Sequence, residues 1–249
     1  MNTEIITIGD ELLIGQVIDS NSAWMGRELE REGFRVTRKT CVGDNAEDIT
    51  SAISSAMQRV ELALLTGGLG PTKDDLTMRT LCTFFGCGMH FSEEVYADIQ
   101  RRFSQLGRVM NELTRNQAMV PDACTVLRNM VGTAPGSWFE SDGRVLVSMP
   151  GVPSEMEWLM SNEVIPRLRQ RFTRDLFILH HTISVSGLTE SALAIRLAEF
   201  ESSLPSSVKL AYLPQPGLIR LRLSVHTPSA DEAQQTLDEY LAKLEKEVR

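Results

Sequence analysis

The sequence lacks long apolar runs and a secretory leader. Among its 249 residues, runs such as 60–65, which contains a glutamate, fall far short of the ~20 apolar residues that a membrane span needs. The chain opens Met-Asn-Thr-Glu, and no basic region precedes its first apolar run, so a signal peptide is not expected. These absences predict a cytoplasmic protein without a membrane partner.

Cysteine and histidine are scarce and scattered. The four cysteines, Cys41, Cys82, Cys87 and Cys124, form no Cys-x-x-Cys pair and have no histidine at metal-binding spacing. A structural zinc site and disulfide bonds are therefore not expected. None of the four histidines stands beside a serine or cysteine in a recognisable nucleophile motif.

Basic residues are fewer than acidic ones. The chain has 25 Lys and Arg against 33 Asp and Glu, which gives a formal net charge of −8. This charge repels long polyphosphate backbones, so nucleic acid is not an expected partner. A single phosphorylated small molecule remains compatible with it.

Strands and helices alternate along the first part of the chain. Hydrophobic periodicity predicts strands over 4–8, 34–42 and 62–65 and helices over 17–32 and 48–57. Such alternation implies right-handed crossovers and a mainly parallel sheet, hence an α/β fold. Further on we expect helices over 76–85, 93–106, 110–119 and 154–171, with Ser154 as the N-cap of the last, and strands over 125–130 and 144–148.

Composition changes near Thr173, which predicts a domain over 1–172 and a second over 173–249. The second part reads strand, helix, strand, strand, helix over 179–186, 190–200, 208–212, 219–225 and 230–248. This order predicts a small α+β domain.

Three polar or glycine-rich loops follow predicted strands of the first domain. They are Gly9-Asp10-Glu11, Thr66–Asp75 and Pro150–Glu155. Open parallel sheets bind ligands at the carboxyl ends of their strands, so these loops are expected to meet at one edge.

The second loop is the most informative of the three. Glycines at 67, 68 and 70 lack Cβ atoms, so backbone N–H groups of this loop could approach a phosphate closely. The helix predicted after it would direct its N-terminus into the same space. The glycine spacing fits neither a Walker loop nor a dinucleotide fingerprint.

Acidic residues in these loops have two readings. Asp74 and Asp75 could be ordinary first-turn acids of a helix, or carboxylates that bind Mg²⁺ beside a phosphate. Asp44 could be a turn residue or helix cap instead of a site residue, and Glu155 a first-turn acid or a metal ligand. Of the adjacent Asp10 and Glu11, only one is expected to face inward.

Several motifs, taken together and in order, resemble the CinA (competence/damage-inducible protein A) family. They are Ile8-Gly9-Asp10-Glu11-Leu12-Leu13-x-Gly15, Asp19-x-Asn21, Gly67-Gly68-Leu69-Gly70-Pro71-Thr72-x-Asp74-Asp75, Asn116-x-x-x-x-Pro121, Gly132-Thr133-Ala134-Pro135-Gly136 and Pro150-Gly151-Val152-Pro153-Ser154-Glu155-Met156.

The resemblance implies a molybdopterin-binding (MoaB/Mog-like) fold, with a mixed, mostly parallel sheet between two helix layers, followed by a K-homology-like module. It implies metal-dependent hydrolysis of ADP-ribose to AMP and ribose 5-phosphate, with Mg, Mn or Co as the divalent ion. The expected catalytic residues are Asp75, Asp74 and Asp44, and the expected metal ligands are Asp75, Glu155 and Asp44. The expected substrate-binding residues are Gly9, Asp10, Glu11, Asn21, Gly67, Gly68, Gly70, Pro71, Thr72, Gly132, Thr133, Pro150, Gly151 and Ser154.

The family resemblance also leaves alternatives. The same fold could bind molybdopterin in a transferase reaction, or the protein could sense a nucleotide without hydrolysing it. Many family members continue into a nicotinamide-mononucleotide deamidase domain, and we expect no such activity from these 249 residues. The small domain lacks the Gly-x-x-Gly loop that clamps RNA, so we expect it to serve assembly. The resemblance implies a homo-oligomer, expected to be a dimer, because the family's fold commonly assembles through its sheet domain.

Overall fold

The computed structural model describes residues 1–72, 75–172 and 177–248. Asp74, an expected catalytic residue, lies outside these ranges. The domain boundary expected between residues 172 and 173 lies at the start of a second stretch outside them. The described chain divides into two compact units, the first formed by Met1–Leu29 and Phe34–Phe172. Within the described ranges, no helix is long and apolar enough to cross a membrane.

The first unit contains eight strands and eight helices among its described residues. The strands are β1 (Asn2–Ile8), β2 (Arg35–Val42), β3 (Leu62–Thr66), β4 (Met89–Phe91), β5 (Met119–Pro121), β6 (Thr125–Leu127), β7 (Gly136–Ser141) and β8 (Arg144–Met149). The α-helices are α1 (Asp10–Leu13), α2 (Ser20–Arg31), α3 (Ala46–Arg59), α4 (Thr77–Phe85), α5 (Glu93–Gln105), α6 (Glu112–Asn116), α7 (Pro153–Leu159) and α8 (Ile165–Arg171).

The central sheet has the strand order β2-β1-β3-β8-β7-β6. The strands β2, β1, β3 and β8 are parallel, and β7 runs antiparallel to both of its neighbours. Every residue of β3 is buried, as expected for a strand covered on both faces. The α/β fold with a mixed, mostly parallel sheet is therefore confirmed.

Helices cover both faces of this sheet, because alternate side chains of each strand enter different cores. Ile5 packs in one cluster with Met25 and Leu29 of α2, whereas Ile6 packs in the other with Ile49 and Ile53 of α3. This alternation produces the three layers. The carboxyl ends of β1, β2, β3 and β8 lie at one edge because these four strands are parallel.

The structure differs from the sequence prediction at several elements. The helix predicted over 110–119 shortens to α6, and the chain then enters β5, which pairs with β4. The strand β7, which carries buried Trp138 and Phe139, is not among the predicted strands. Ser154 does not cap α7, since Val152 occupies that position and Pro153 begins the helix. A π-helical turn at Met160–Val164 separates α7 from α8.

The second unit has the predicted order of strand, helix, strand, strand and helix. Its elements are β9 (Phe177–Val185), α9 (Glu190–Ser202), β10 (Val208–Gln215), β11 (Leu218–Thr227) and α10 (Ala230–Val248). The antiparallel sheet has the order β10-β11-β9, and Leu221 and Leu223 of its central strand pack in one core with Leu197 and Leu237 of the two helices.

Candidate functional site

A cleft of about 510 Å³ lies where β1, β2, β3 and β8 end. Its lining comes from the loops that follow these four strands, from the loop that contains Thr133 and from the end of α6. The lining residues are Ile8, Gly9, Glu11, Asp44, Gly67, Gly68, Leu69, Gly70, Pro71, Asp75, Gln117, Thr133, Ala134, Pro150, Gly151, Val152 and Glu155. The loops that the sequence predicted to converge therefore meet in one cleft.

Not every predicted site residue lines this cleft. Those that do are Gly9, Glu11, Asp44, Gly67, Gly68, Gly70, Pro71, Asp75, Thr133, Pro150, Gly151 and Glu155. Asp10, Asn21, Thr72, Gly132 and Ser154 are not among its lining residues, and Asp74 lies outside the described residues. Gln117 was missed, because a lone glutamine at a helix end carries no sequence signal of its own.

The carboxylate of Asp75 holds the glycine loop together. It accepts hydrogen bonds from the N–H of Gly70 (2.7 Å), the N–H of Thr72 (2.8 Å) and the hydroxyl of Thr72 (2.6 Å). Helix α4 begins only at Thr77, and Leu76 is its N-cap residue without a side-chain bond. Asp75 is therefore neither a first-turn residue nor a helix cap.

Gly68 is required by the conformation of the loop itself. Its φ of +65° lies in the left-handed region, and a Cβ there would collide with the hydroxyl of Thr77. That hydroxyl donates to the carbonyl of Gly67 at 3.0 Å. The missing Cβ of Gly68 is thus required by a contact within the loop. The close approach to a phosphate that the sequence predicts stays a prediction.

Two backbone donors of the loop nevertheless remain unused in the part of the chain that the structure describes. The N–H groups of Gly67 and Gly70 are used by Met149 and Asp75, respectively. Those of Gly68 and Leu69 have no acceptor within the described ranges. Because both residues line the cleft, their N–H groups can donate to an anionic ligand.

Asp10 and Asp44 join the first and second strand ends. The N–H of Asp10 donates to Oδ2 of Asp44 at 3.0 Å, and the N–H of Asp44 donates to Oδ1 of Asp10 at 3.2 Å. Burial raises the pKa of Asp44, as do the charges of Asp10, Glu11 and Asp75, whereas the bond from Asp10 opposes the rise. Four carboxylates therefore share one neighbourhood.

On the other side of the cleft, Asn129 organises the loop that carries Thr133. Its side-chain oxygen accepts from the N–H groups of residues 131 (3.1 Å) and 132 (2.9 Å). Its amide nitrogen donates to the carbonyl of Ala134 at 2.9 Å and to Oε2 of Glu155 at 2.6 Å. One buried amide therefore fixes the loop and a cleft carboxylate together.

Glu155 packs closely against this loop. A Cβ on Gly132 would collide with its carboxylate, which explains why residue 132 has no side chain although it does not line the cleft. Burial raises the pKa of Glu155, and the bond from Asn129 and the charge of Arg102 partly counter the rise.

Asn21 ties two loops together behind the cleft. Its amide nitrogen donates to the hydroxyl of Thr66 (3.1 Å) and to the carbonyl of Gly151 (2.8 Å), and Thr66 donates to the carbonyl of Pro150 (2.8 Å). Asn21 thus fixes the end of β3 against the loop after β8.

The cleft is strongly acidic. Glu11, Asp44, Asp75 and Glu155 line it, and none of the described lining residues is Lys, Arg or His. Within the described ranges, no three His, Cys, Asp or Glu side chains are grouped so that they could hold a metal ion together. One or two carboxylates are the number of protein ligands that Mg²⁺ uses when phosphate oxygens and water complete its shell, and the lining offers that many.

Comparison with known proteins now identifies the chain's relatives. Residues 4–170 match the family described as "Probable molybdopterin binding domain", and residues 180–249 match "Damage-inducible protein CinA KH domain". A crystal structure of "the protein CinA with unknown function" from Thermoplasma acidophilum is 33% identical, with a TM-score of 0.58, and the match covers 64% of this chain and 94% of that one. The chain belongs to the CinA family.

Two curated relatives extend the comparison along the whole chain. The CinA-like protein of Cytophaga hutchinsonii is 43% identical over 100% of this chain and 61% of its own length. That of Gemmatimonas aurantiaca is 39% identical over 100% of this chain and 58% of its own length. This CinA-family chain thus spans about three fifths of the length of these relatives.

Proposed function

We propose that this CinA-family chain hydrolyses the pyrophosphate bond of a nucleoside diphosphate sugar such as ADP-ribose, with a divalent cation bound at the cleft. The observation that carries the proposal is the pairing of open backbone donors at Gly68 and Leu69 with four lining carboxylates. The donors suit phosphate oxygens, whereas the carboxylates repel them unless a cation lies between the two.

The donor set fits such a cation. Oxygen ligands from carboxylates are what Mg²⁺ and Mn²⁺ prefer, and Asp75 and Glu155 line the cleft and can supply them. A divalent cation held there would neutralise phosphate charge and activate the attacking water. No protein nucleophile is then required.

The chain's own residues have separate tasks in this proposal. The N–H groups of Gly68 and Leu69 bind and orient the diphosphate. Asp44 keeps Oδ2 on the N–H of Asp10, which leaves Oδ1 to accept a proton from the attacking water. The water oxygen bonds to one phosphorus, the bridging P–O bond breaks, and the products are AMP and ribose 5-phosphate.

The direct test is AMP release from ADP-ribose by the purified chain, with a divalent metal and with excess chelator after verified metal removal. We expect release with Mg²⁺, Mn²⁺ or Co²⁺ and none above background in chelator. Full activity in chelator, or no AMP under any metal, would overturn the proposal.

A second function is binding of molybdopterin, which the description of the matched family favours. The same loop donors and Asp75 would then face the pterin phosphate. Binding of a phosphorylated pterin without any AMP release from ADP-ribose would favour this reading. The homodimer expected from the sequence stays a prediction.

A further inference from the structure

The C-terminal end of α4 brings two cysteines together. Gly86 ends the helix in the left-handed conformation, with a φ of +63°. The N–H of Cys87 donates to the carbonyl of Cys82 at 3.0 Å, and the N–H of Gly86 donates to the carbonyl of Thr83 at 3.2 Å. This pair of bonds defines a Schellman motif, in which the side chains at the positions of Cys82 and Cys87 commonly contact each other. The turn therefore places two free thiols side by side, although the sequence has no Cys-x-x-Cys spacing.

The surroundings of Cys82 limit what its thiol can react with. Its Sγ lies 3.8 Å from the carbonyl oxygen of Gly88, the residue that follows Cys87, and the residue is only 8% exposed. Burial raises the pKa of Cys82 to about 12, with further contributions from the adjacent thiol of Cys87, from Cys124 and from Asp122. A buried, protonated thiol is inert toward reagents in solution, so Cys82 can react only with a sulfur that the fold holds against it.

Cys87 is the thiol of this pair that a small molecule can reach, because it is only half-buried. Cys124 also lies near it, but its thiol donates to the carbonyl of Pro121 at 3.3 Å, and burial raises its pKa. Backbone hydrogen bonds hold Cys82, and not Cys124, in one turn with Cys87. Among the described residues, no three Cys, His, Asp or Glu side chains could hold a metal ion together, so the arrangement favours chemistry between two sulfurs.

We propose that Cys82 and Cys87 are a redox-active dithiol, which closes to a disulfide by exchange with a low-molecular-weight disulfide. The Cys87 thiolate attacks one sulfur of the small molecule, so that a mixed disulfide forms and one small thiolate leaves and takes up a proton. Cys82 then loses its proton and attacks the sulfur of Cys87, and the second small thiol leaves. Two protein thiols are oxidised by two electrons, and one small disulfide is reduced to two thiols. This chemistry does not depend on the proposed hydrolysis.

Trypsin can distinguish the possible bridges. Cys82 and Cys87 lie in one tryptic peptide, 80–101, whereas Cys41 and Cys124 lie in two others, 40–59 and 116–128. A bridge between Cys82 and Cys87 makes one peptide lighter by two hydrogen atoms, and a bridge to Cys124 joins two peptides. The protein is incubated with oxidised glutathione, the remaining thiols are alkylated, and the peptides are measured by mass spectrometry over time.

We expect most copies of peptide 80–101 to gain the internal bridge, after a transient mixed disulfide at Cys87. Dithiothreitol should restore two thiols that can be alkylated. Cys124→Ser should leave the bridge unchanged, and Cys87→Ser should abolish it and leave Cys82 unmodified. Cys41 is exposed and serves as the control within the same chain, since it should form a mixed disulfide with glutathione and no bridge.

Three results would each overturn the redox pair. They are a mixed disulfide at Cys87 that persists without closing, a bridge that joins peptides 80–101 and 116–128, and an unmodified Cys87 when Cys41 has fully reacted. The wild type and Cys124→Ser give this answer even if Cys87→Ser does not fold, and the circular dichroism of Cys87→Ser shows whether it does.

Discussion

The two sides of the acidic cleft are each held by one side chain, and the two side chains differ in charge and exposure. Asp75 gathers the glycine loop with three hydrogen bonds while its carboxylate lines the cleft. Asn129 makes four hydrogen bonds, three within the opposite loop and one to Glu155, and this residue is 6% exposed and lies outside the lining. A neutral amide is enough to position a loop, so the charge of Asp75 calls for a further reason.

That contrast assigns different roles to the two residues. Asn129 is a positioning residue, because it reaches a ligand only through the loop and Glu155. Asp75 both positions a loop and presents negative charge to the cleft. Substitutions that remove one property at a time can separate these roles.

The largest effect is expected at Asp75. Asp75→Asn removes the charge, keeps the size and turns an amide group toward a loop donor, so turnover should fall by on the order of 10²-fold, about 2.7 kcal/mol. Thr72→Val removes only the hydroxyl donor at 2.6 Å and should lose less than threefold. Steady-state kinetics at saturating metal measure both variants. Equal losses would mean that Asp75 acts only through the loop.

At Asn129 the expected effect is on stability and binding. Asn129→Leu leaves the N–H groups of 131 and 132 and the Glu155 carboxylate without their partner, so the free energy of unfolding should fall by about 2 kcal/mol. Asn162→Leu is the control, since Asn162 is exposed and donates one bond to the carbonyl of Trp158. Denaturant unfolding compares the two variants. Similar small losses in the free energy of unfolding would show that Asn129 does not hold the loop and Glu155 in place.

The glycine loop can be tested by a pair of matched glycines. Gly68 (φ +65°) and Gly86 (φ +63°) have nearly the same backbone conformation, but a Cβ meets Thr77 only at Gly68 and nothing within 4 Å at Gly86. Gly86→Ala should therefore cost about 1 kcal/mol from conformation alone. Gly68→Ala should cost about 1 kcal/mol more, because the Thr77 hydroxyl must also move. Equal melting temperatures of the two variants would contradict this contact.

The smallest expected effect is a pH dependence of stability that comes from the ion pair beside Asn129. Arg128, next to Asn129, donates to both oxygens of the buried Asp98 at 2.7 Å, and this bonding lowers the pKa of Asp98 below its ordinary value of 3.8. Stability from this pair is complete above the unfolded pKa and is lost as the pH falls through the lower folded value.

Asp98→Asn should therefore destabilise the wild-type fold by about 1 kcal/mol near neutral pH, and less as the pH falls below the unfolded pKa. Unfolding free energies of both proteins across the acidic range measure the difference. A difference in unfolding free energy that does not change with pH would show that the Asp98–Arg128 ion pair does not stabilise the fold.

The sequence predicts the sheet edge well and the roles at that edge poorly. The buried runs at 4–8 and 62–65 and the loops after them specify the parallel strands and the convergence, because periodicity and glycine clusters are local signals. The strand β7 and the pair β4–β5 were missed, since their short stretches gain stability from partners distant in the sequence.

The alternative that Asp75 is an ordinary first-turn acid was wrong for a related reason. Where α4 begins depends on the loop bonds that Asp75 itself makes, and these are not visible in a run of acidic residues. Likewise the residues around Asn129 contain no pattern that predicts its hydrogen bond to Glu155, which lies 26 positions further along the chain. Such contacts follow from the fold and not from local spacing.

The proposed function requires a divalent cation to lie between the carboxylates of the acidic cleft and the phosphates of the ligand. Its most direct test is calorimetric titration of a methylene-bridged ADP-ribose analogue, which cannot be hydrolysed, into the metal-free protein and again in saturating Mg²⁺. Because the described lining holds four carboxylates and no cationic side chain, we expect at least tenfold tighter binding with Mg²⁺. Equal affinity in chelator and in Mg²⁺ would contradict it.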